Sequence, residues 1–183
     1  NYWVIDPIDG TRSFISGVPL WGTLIALNDG TKPVVGMMDQ PYIGERFIGR
    51  PGGSELITRF GTRPIKTSQC TTLEDAILGN TDPAMFRIDA EKAAFREVSQ
   101  KIKLRRFGGD CYFYALLAAG TIDLVIESSL QPYDIQAMIP IIENAGGVVT
   151  SWTGADPQMG GNVVAAATPE LHAAALAILK SAA

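Results

Sequence analysis

The chain has 183 residues, enough for one sizeable hydrophobic core, and its 46% hydrophobic and 19% charged residues are ordinary for a globular protein. The net charge of −4 argues against nucleic acid as a main partner, and no apolar run approaches the length of a membrane span. Two cysteines and one histidine are too few for a disulfide framework or a structural zinc site, and they fit a reducing, cytoplasmic compartment.

The first part of the chain predicts short strands separated by turns. After an opening strand that ends near Asp6, a short helix is expected over residues 12–15. Turn signals such as Asn28-Asp29-Gly30 then separate further strands, predicted over residues 20–27, 33–38, 45–48 and 56–60. Residues 63–67 are interpreted as a linker, which divides the chain into an amino-terminal part, 1–67, and a carboxy-terminal part, 68–183.

The second part alternates strands with helices. Strands are predicted over 76–79, 103–107, 122–126, 148–152 and 163–167, and helices over 83–101, 110–119, 132–145 and 169–180. This alternation indicates an α/β layered sandwich. We interpret His172 as a helix surface residue, Cys111 as a buried structural thiol, and the basic residues around Arg105 as a solvated strand edge.

The first candidate functional motif is Asp6-Pro7-Ile8-Asp9-Gly10-Thr11, which directly follows apolar residues. Asp6 would end the strand, and the following turn would place the Asp9 carboxylate on the same side as the Asp6 carboxylate. The two carboxylates could then share hard divalent cations. The amides of Gly10 and Thr11 can face a phosphate. A surface turn in which Asp9 or Thr11 caps a helix is the alternative, and the hexapeptide alone does not decide between them.

A second acidic position lies far downstream. Asp134 is the only carboxylate between Glu127 and Glu143, and it falls in the first turn of a predicted helix that is otherwise apolar and ends at Gly146-Gly147. Taken alone, this position is explained by the helix dipole.

The two motifs together resemble the inositol monophosphatase family of magnesium-dependent, lithium-sensitive phosphatases. Within that family the sequences of the motifs are most similar to those of the bacterial histidinol-phosphate phosphatases, which act in histidine biosynthesis. The segments that carry this similarity are Ser13-Phe14-Ile15-Ser16-Gly17, residues 21–27, residues 108–112 and Pro132-Tyr133-Asp134-Ile135. The resemblance implies an αβαβα sandwich of the inositol monophosphatase and fructose bisphosphatase type.

Carried over by position, the resemblance implies a two-metal Mg²⁺ site with no protein nucleophile. Asp6 would bridge the metals, the Ile8 carbonyl would bind one of them, and Asp9 and Asp134 would complete the shell of the other. Gly10 and Thr11 would hold the phosphate, and Thr11 would help to orient the attacking water. Asp6, Asp9 and Thr11 are therefore the candidate catalytic residues.

The resemblance also places Gly109, Asp110 and Glu127 at the pocket for the alcohol part of a small-molecule phosphate ester. Two acidic groups there favour a cationic alcohol, hence histidinol phosphate. The alternative for Asp110 is a helix cap. The alternative functions are a phosphatase for inositol 1-phosphate or another small ester, or an inactive phosphate- or metal-binding fragment.

The chain departs from the family pattern at its start. The family's Gly-Glu-Glu motif, which supplies a further metal ligand, and its amino-terminal helices and hairpin have no counterpart in the five residues before Asp6. We therefore expect an incomplete metal shell and weak catalysis by this chain alone. Separately, we expect the intact protein to be a homodimer.

Overall fold

A computed structural model describes residues 1–182, and its first element is a six-stranded antiparallel sheet. The strands follow one another in chain order across the sheet, with a helix in the first connection and short turns in the others. They are β1 Tyr2–Asp9, β2 Gly22–Asn28, β3 Pro33–Gln40, β4 Glu45–Arg50, β5 Gly53–Thr58 and β6 Gly61–Ile65.

The second sheet has five strands and mixed directions. Its strands are β7 Ile77–Asn80, β8 Leu104–Phe107, β9 Leu124–Leu130, β10 Val148–Ser151 and β11 Gly161–Ala166. Their spatial order is β10-β11-β9-β7-β8, with β7 parallel to both β8 and β9, and β11 antiparallel to β9 and β10. The basic strand β8 is at the sheet edge and is exposed along its length, as the sequence predicts.

Six α-helices connect and cover these sheets. They are α1 Thr11–Ser16, α2 Asp89–Lys101, α3 Asp110–Ala118, α4 Pro132–Ile135, α5 Met138–Glu143 and α6 Pro169–Leu179, with 3₁₀ turns at Pro83–Met85 and Lys180–Ala182. Within residues 1–182 no helix combines the length and the apolar composition needed to cross a membrane.

Two hydrophobic clusters define the layers. The larger one joins the inner face of the six-stranded sheet to α3, α5 and one face of the second sheet. The smaller one joins the opposite face of the second sheet to α2 and α6. The layers therefore alternate sheet, helix, sheet, helix, which confirms the predicted α/β sandwich. Within residues 1–182 no helical layer covers the outer face of the first sheet.

Helix α5 lies directly against the backbone of the first sheet at two glycines. A Cβ atom on Gly36 would come within 1.9 Å of the Ala137 carbonyl oxygen, and one on Gly49 within 2.3 Å of the Ile141 Cα. Ser54 donates its hydroxyl to the Ile141 carbonyl at 2.7 Å, which ties the helix to β5.

Several predicted elements differ from the structure, while the others are confirmed with bounds shifted by a few residues. The predicted linker at 63–67 overlaps a strand, β6, which pairs with β5 along its length. The helix predicted over 132–145 is two helices, because Pro140 has no amide to donate to the Gln136 carbonyl.

The helix predicted over 83–101 starts later than expected. Residues Pro83–Met85 form a 3₁₀ turn capped by Asp82, and Phe86, extended and 1% exposed, enters the core before α2 begins at Asp89. The strand predicted to end near Glu127 continues to Leu130 across a register irregularity opposite β11.

His172 is not a surface residue, contrary to the prediction. It is 8% exposed, and its Nε2 lies 2.8 Å from the Thr150 hydroxyl. The helix face that carries it packs on the second sheet, which the alanine-rich sequence of α6 does not reveal. Cys111 is buried, as predicted.

Candidate metal and phosphate site

The end of strand β1 turns its two aspartates toward the same cavity. The pairing with β2 shifts register between Asp6, opposite Leu24, and Asp9, opposite Gly22. Pro7 lies within this irregularity and has no amide for a ladder hydrogen bond. The Ile8 amide donates to Asp6 Oδ1 at 3.1 Å, which holds that carboxylate beside the turn.

Gly10 connects the strand to helix α1 in a conformation that favours glycine. Its φ is 82°, and a Cβ atom there would lie 2.9 Å from the Leu20 carbonyl oxygen. Among the described residues no side chain caps α1, so the alternative in which Asp9 or Thr11 is a helix cap is wrong. The Thr11 hydroxyl donates instead to the Ile8 carbonyl at 3.2 Å.

Asp134 approaches the same point from the second sheet. It is the third residue of α4, which follows β9 after a single residue, and its Oδ2 accepts a hydrogen bond from the Gln131 amide at 2.7 Å. This capping box orients the carboxyl group at the start of the helix.

The three carboxylates converge as predicted. Asp6, Asp9 and Asp134 each offer an oxygen, and these oxygens lie within 4.8 Å of one another. An all-oxygen donor set of this kind fits a hard divalent cation. The role of each residue as a metal ligand stays a prediction.

The electrostatics of the cluster also fit a cation. Burial raises the pKa of Asp9 to about 7; the Cys111 hydrogen bonds, which include the amide at 2.9 Å, oppose this rise, and the charges of Asp110 and Asp134 add to it. Burial also raises the pKa values of Asp6 and Asp134. A bound divalent cation would reverse these shifts, because it stabilises the ionised carboxylates.

A cavity of about 610 Å³ contains the cluster and almost all other predicted site residues. Its lining includes Asp6, Ile8, Asp9, Gly10, Thr11, Asp110, Glu127 and Asp134. Gly109 is outside this lining: it precedes α3 as the N-cap, and a Cβ atom there would lie 2.3 Å from the Phe113 ring. Its structural role is therefore close packing, and its role in substrate binding stays a prediction.

Glu127 is a buried acid that Thr81 holds in place. It is 3% exposed, and its Oε1 and Oε2 accept from the Thr81 amide at 2.6 Å and hydroxyl at 3.1 Å. Burial raises its pKa to about 8 against these hydrogen bonds, with smaller contributions from Asp110 and Asp9. A cationic ligand beside Glu127 would favour its charged form.

Asp110 has few structural contacts. Its φ is 44°, which is uncommon for a residue other than glycine, and its carboxylate accepts one long hydrogen bond, from the Ser13 hydroxyl at 3.5 Å. The structure shows no side-chain cap at the start of α3, so the capping alternative for Asp110 is wrong. Burial raises its pKa, while Ser13 and Arg12 oppose this rise.

The sequence interpretation missed the residues that support this site. Thr81 directly follows β7, which runs parallel to β9, so the carboxyl ends of the two strands bring Thr81 and Glu127 together. Tyr114 lies four residues after Asp110, a spacing that places both on one face of α3, and it also lines the cavity.

The layered sandwich and the acidic cavity beside the Gly10-Thr11 turn agree with the resemblance drawn from the sequence. The family model described as the inositol monophosphatase family matches residues 1–183, and the chain belongs to that family.

The chain is similar to known members across nearly its whole length. It is 46% identical to the chloroplastic bifunctional phosphatase IMPL2 of Arabidopsis thaliana, with 97% of this chain and 53% of that protein covered. It is 34% identical to a histidinol-phosphatase of Streptomyces coelicolor, with 93% and 66% covered. The solved inositol monophosphatase of Zymomonas mobilis superposes with a TM-score of 0.91 at 38% identity, covering 97% of this chain and 70% of that one. The chain thus spans about half to two thirds of the length of these curated relatives.

Proposed function

We propose that this protein is a Mg²⁺-dependent phosphoric monoester hydrolase. The observation that carries this proposal is the convergence of the Asp6, Asp9 and Asp134 carboxylates in one cavity with the Gly10-Thr11 turn. Because the chain spans only part of its relatives' length, the activity of the whole protein belongs to the proposal.

Each residue of the site has a role that its contacts support. Asp6, Asp9, Asp134 and the Ile8 carbonyl would hold the cations, which supply charge neutralisation for the phosphoryl group when they are bound. The Gly10 and Thr11 amides would hold phosphate oxygens, since the left-handed turn at Gly10 leaves them free of a side-chain cap. The Thr11 hydroxyl, kept in place by the Ile8 carbonyl, would help to orient the attacking water.

The proposed substrate is histidinol phosphate. Asp110 and Glu127 line the same cavity as the metal cluster, and Asp110 lacks contacts that would explain it structurally. Acidic partners give charge-assisted hydrogen bonds to an ammonium or an imidazolium. The similarity to the histidinol-phosphatase supports this choice, while the similarity to the Zymomonas inositol monophosphatase supports inositol 1-phosphate as the second candidate.

A phosphate-release assay tests the activity. The protein should release inorganic phosphate from histidinol phosphate with Mg²⁺ and lose this activity with a chelator. Asp134→Asn should abolish most of the release, whereas Asp89→Asn, an exposed change on α2, should not. Release that persists without divalent cations, or that is the same in Asp134→Asn, would refute the proposal. A homodimer and a cytoplasmic location remain predictions.

A further inference from the structure

Helix α3 carries two tyrosines whose hydroxyl groups have opposite surroundings. Tyr112 donates to Glu45 Oε2 on β4 at 2.7 Å and is not part of the cavity lining. Tyr114 lines the cavity and is 2% exposed, and within residues 1–182 its hydroxyl has no hydrogen-bond partner. A phenylalanine would fill the same space without burying an unpaired polar group, so the fold alone does not explain this hydroxyl.

Tyr114 lies close to the acidic residues that line the cavity. It follows Asp110 by four residues on α3, so the two side chains share a helix face. Burial raises the pKa of Tyr114, and among the neighbouring charges Glu127 contributes most, ahead of Asp9 and Asp134. The phenol therefore stays protonated at neutral pH and is able to donate a hydrogen bond.

The hydroxyl adds a chemical property that the acidic residues lack. When a cationic ligand group beside them keeps Asp110 and Glu127 ionised, the two carboxylates only accept hydrogen bonds, so they can bind the N–H groups of that ligand but not its acceptor atoms. A protonated phenol can donate to such an acceptor. Two carboxylates and one phenol therefore match an alcohol that carries both N–H donors for the carboxylates and an acceptor atom for the phenol. A neutral imidazole ring supplies one donor and one acceptor of this kind.

We propose that the Tyr114 hydroxyl is a substrate-binding group that hydrogen-bonds the nitrogen-bearing alcohol part of the phosphate ester. This inference rests on the proposed function and specifies its alcohol subsite. The bond supplies the partner that the hydroxyl lacks in the protein, and it involves none of the proposed metal- or phosphate-binding residues.

The test compares Tyr114→Phe with its matched control Tyr112→Phe. For histidinol phosphate, Tyr114→Phe should raise KM roughly three- to tenfold, the effect of one lost hydrogen bond, with a smaller change in kcat. The affinity for histidinol, measured by calorimetry in metal-free buffer, should fall by a similar factor. Inhibition by inorganic phosphate should not change, and the unfolding midpoint should stay the same or rise. Tyr112→Phe should instead lower the midpoint and keep both affinities.

The outcomes separate this inference from the proposed function. If the unsubstituted protein releases no phosphate from any ester but binds histidinol through Tyr114, the proposed function is wrong and the inference holds. If Tyr114→Phe keeps KM and histidinol affinity within about twofold, the inference is wrong even when hydrolysis is confirmed. It is also wrong if the unsubstituted protein does not bind histidinol, or if Tyr114→Phe lowers the unfolding midpoint as much as Tyr112→Phe does.

Discussion

Asp110 is the residue whose replacement best distinguishes the candidate substrates. Loss of one partner of a desolvated charge pair typically costs about 2–5 kcal/mol, and 1.36 kcal/mol is tenfold in rate. Asp110→Asn should therefore lower kcat/KM for histidinol phosphate roughly ten- to a thousandfold. The rate for inositol 1-phosphate should change far less, because the carboxylate cluster is untouched.

The control for this prediction is Ser13→Ala, which removes the Ser13 hydroxyl that donates to Asp110 and leaves the charge of Asp110 in place. Ser13→Ala should change the ratio of the two activities only slightly. An unchanged ratio in Asp110→Asn would remove the main physical support for a cationic alcohol.

His172 should make stability depend on pH. Burial lowers its pKa from the ordinary value of 6.5, and the charge of Lys180 lowers it further. The unfolded chain therefore binds a proton at a higher pH than the folded chain does, so stability is present above pH 6.5 and is lost as the pH falls below it. One such group gives a slope of at most about 1.4 kcal/mol per pH unit.

Urea unfolding at pH 7.5 and pH 5.5 measures this effect, with His172→Gln as the comparison. The substituted protein should be less stable at pH 7.5, if it loses the Thr150 contact, but its stability should fall less on acidification. Equal losses in both proteins would show that other groups cause the acid sensitivity.

At the scale of elements, the contact of α5 with β3 and β4 joins the two halves of the site. This helix follows α4, which carries Asp134, so the position of α5 on the first sheet sets the distance from Asp134 to Asp9. Gly49 makes the contact possible because any Cβ atom there would overlap three backbone atoms of α5 within 2.4 Å.

Gly49→Ala should therefore destabilise the fold by about 3 kcal/mol or more, the upper range for overpacking. Gly17→Ala is the matched control: its φ of 74° makes alanine unfavourable, but no atom lies within 4 Å of the added Cβ, so about 1 kcal/mol is expected. Chemical denaturation of both variants checks this. Similar losses would mean that backbone strain, and not close packing, accounts for the effect.

At the scale of the whole molecule, the outer face of the six-stranded sheet carries an apolar row that is partly open. Ile5, Ile25, Met37 and Ile48 form one cross-strand row on this face. Ile5 is 55% exposed, and Trp3 beside it is 62% exposed. Exposed apolar surface of this kind marks a contact surface or an aggregation risk.

We expect the protein to self-associate through this face. The double variant Trp3→Thr, Ile5→Thr should reduce association in sedimentation experiments over a range of concentrations. Phe60→Ser, which changes an exposed aromatic residue at a turn away from this row, should leave association unchanged. A monomer at every concentration for the unsubstituted protein would contradict this prediction.

The parts of the protein that the sequence by itself determined are those with local causes. The turn at Gly10 follows from a residue that tolerates positive φ, and the strands and helices follow from the spacing of apolar side chains over a few residues. The resemblance of the two motifs added the family and the carboxylates of the candidate site. The break between α4 and α5 was missed, although its cause is local, since Pro140 lacks the amide that would donate to the Gln136 carbonyl.

Only the tertiary structure decided the contacts between distant segments. Thr81 holds Glu127 across 46 positions, and the Cys111 amide donates to Asp9 across 102. The burial of His172 and the unpaired hydroxyl of Tyr114 also depend on which helix faces meet the sheets and the cavity. Local periodicity shows that a helix has an apolar face, but the environment of each side chain on that face is set by the elements that pack against it.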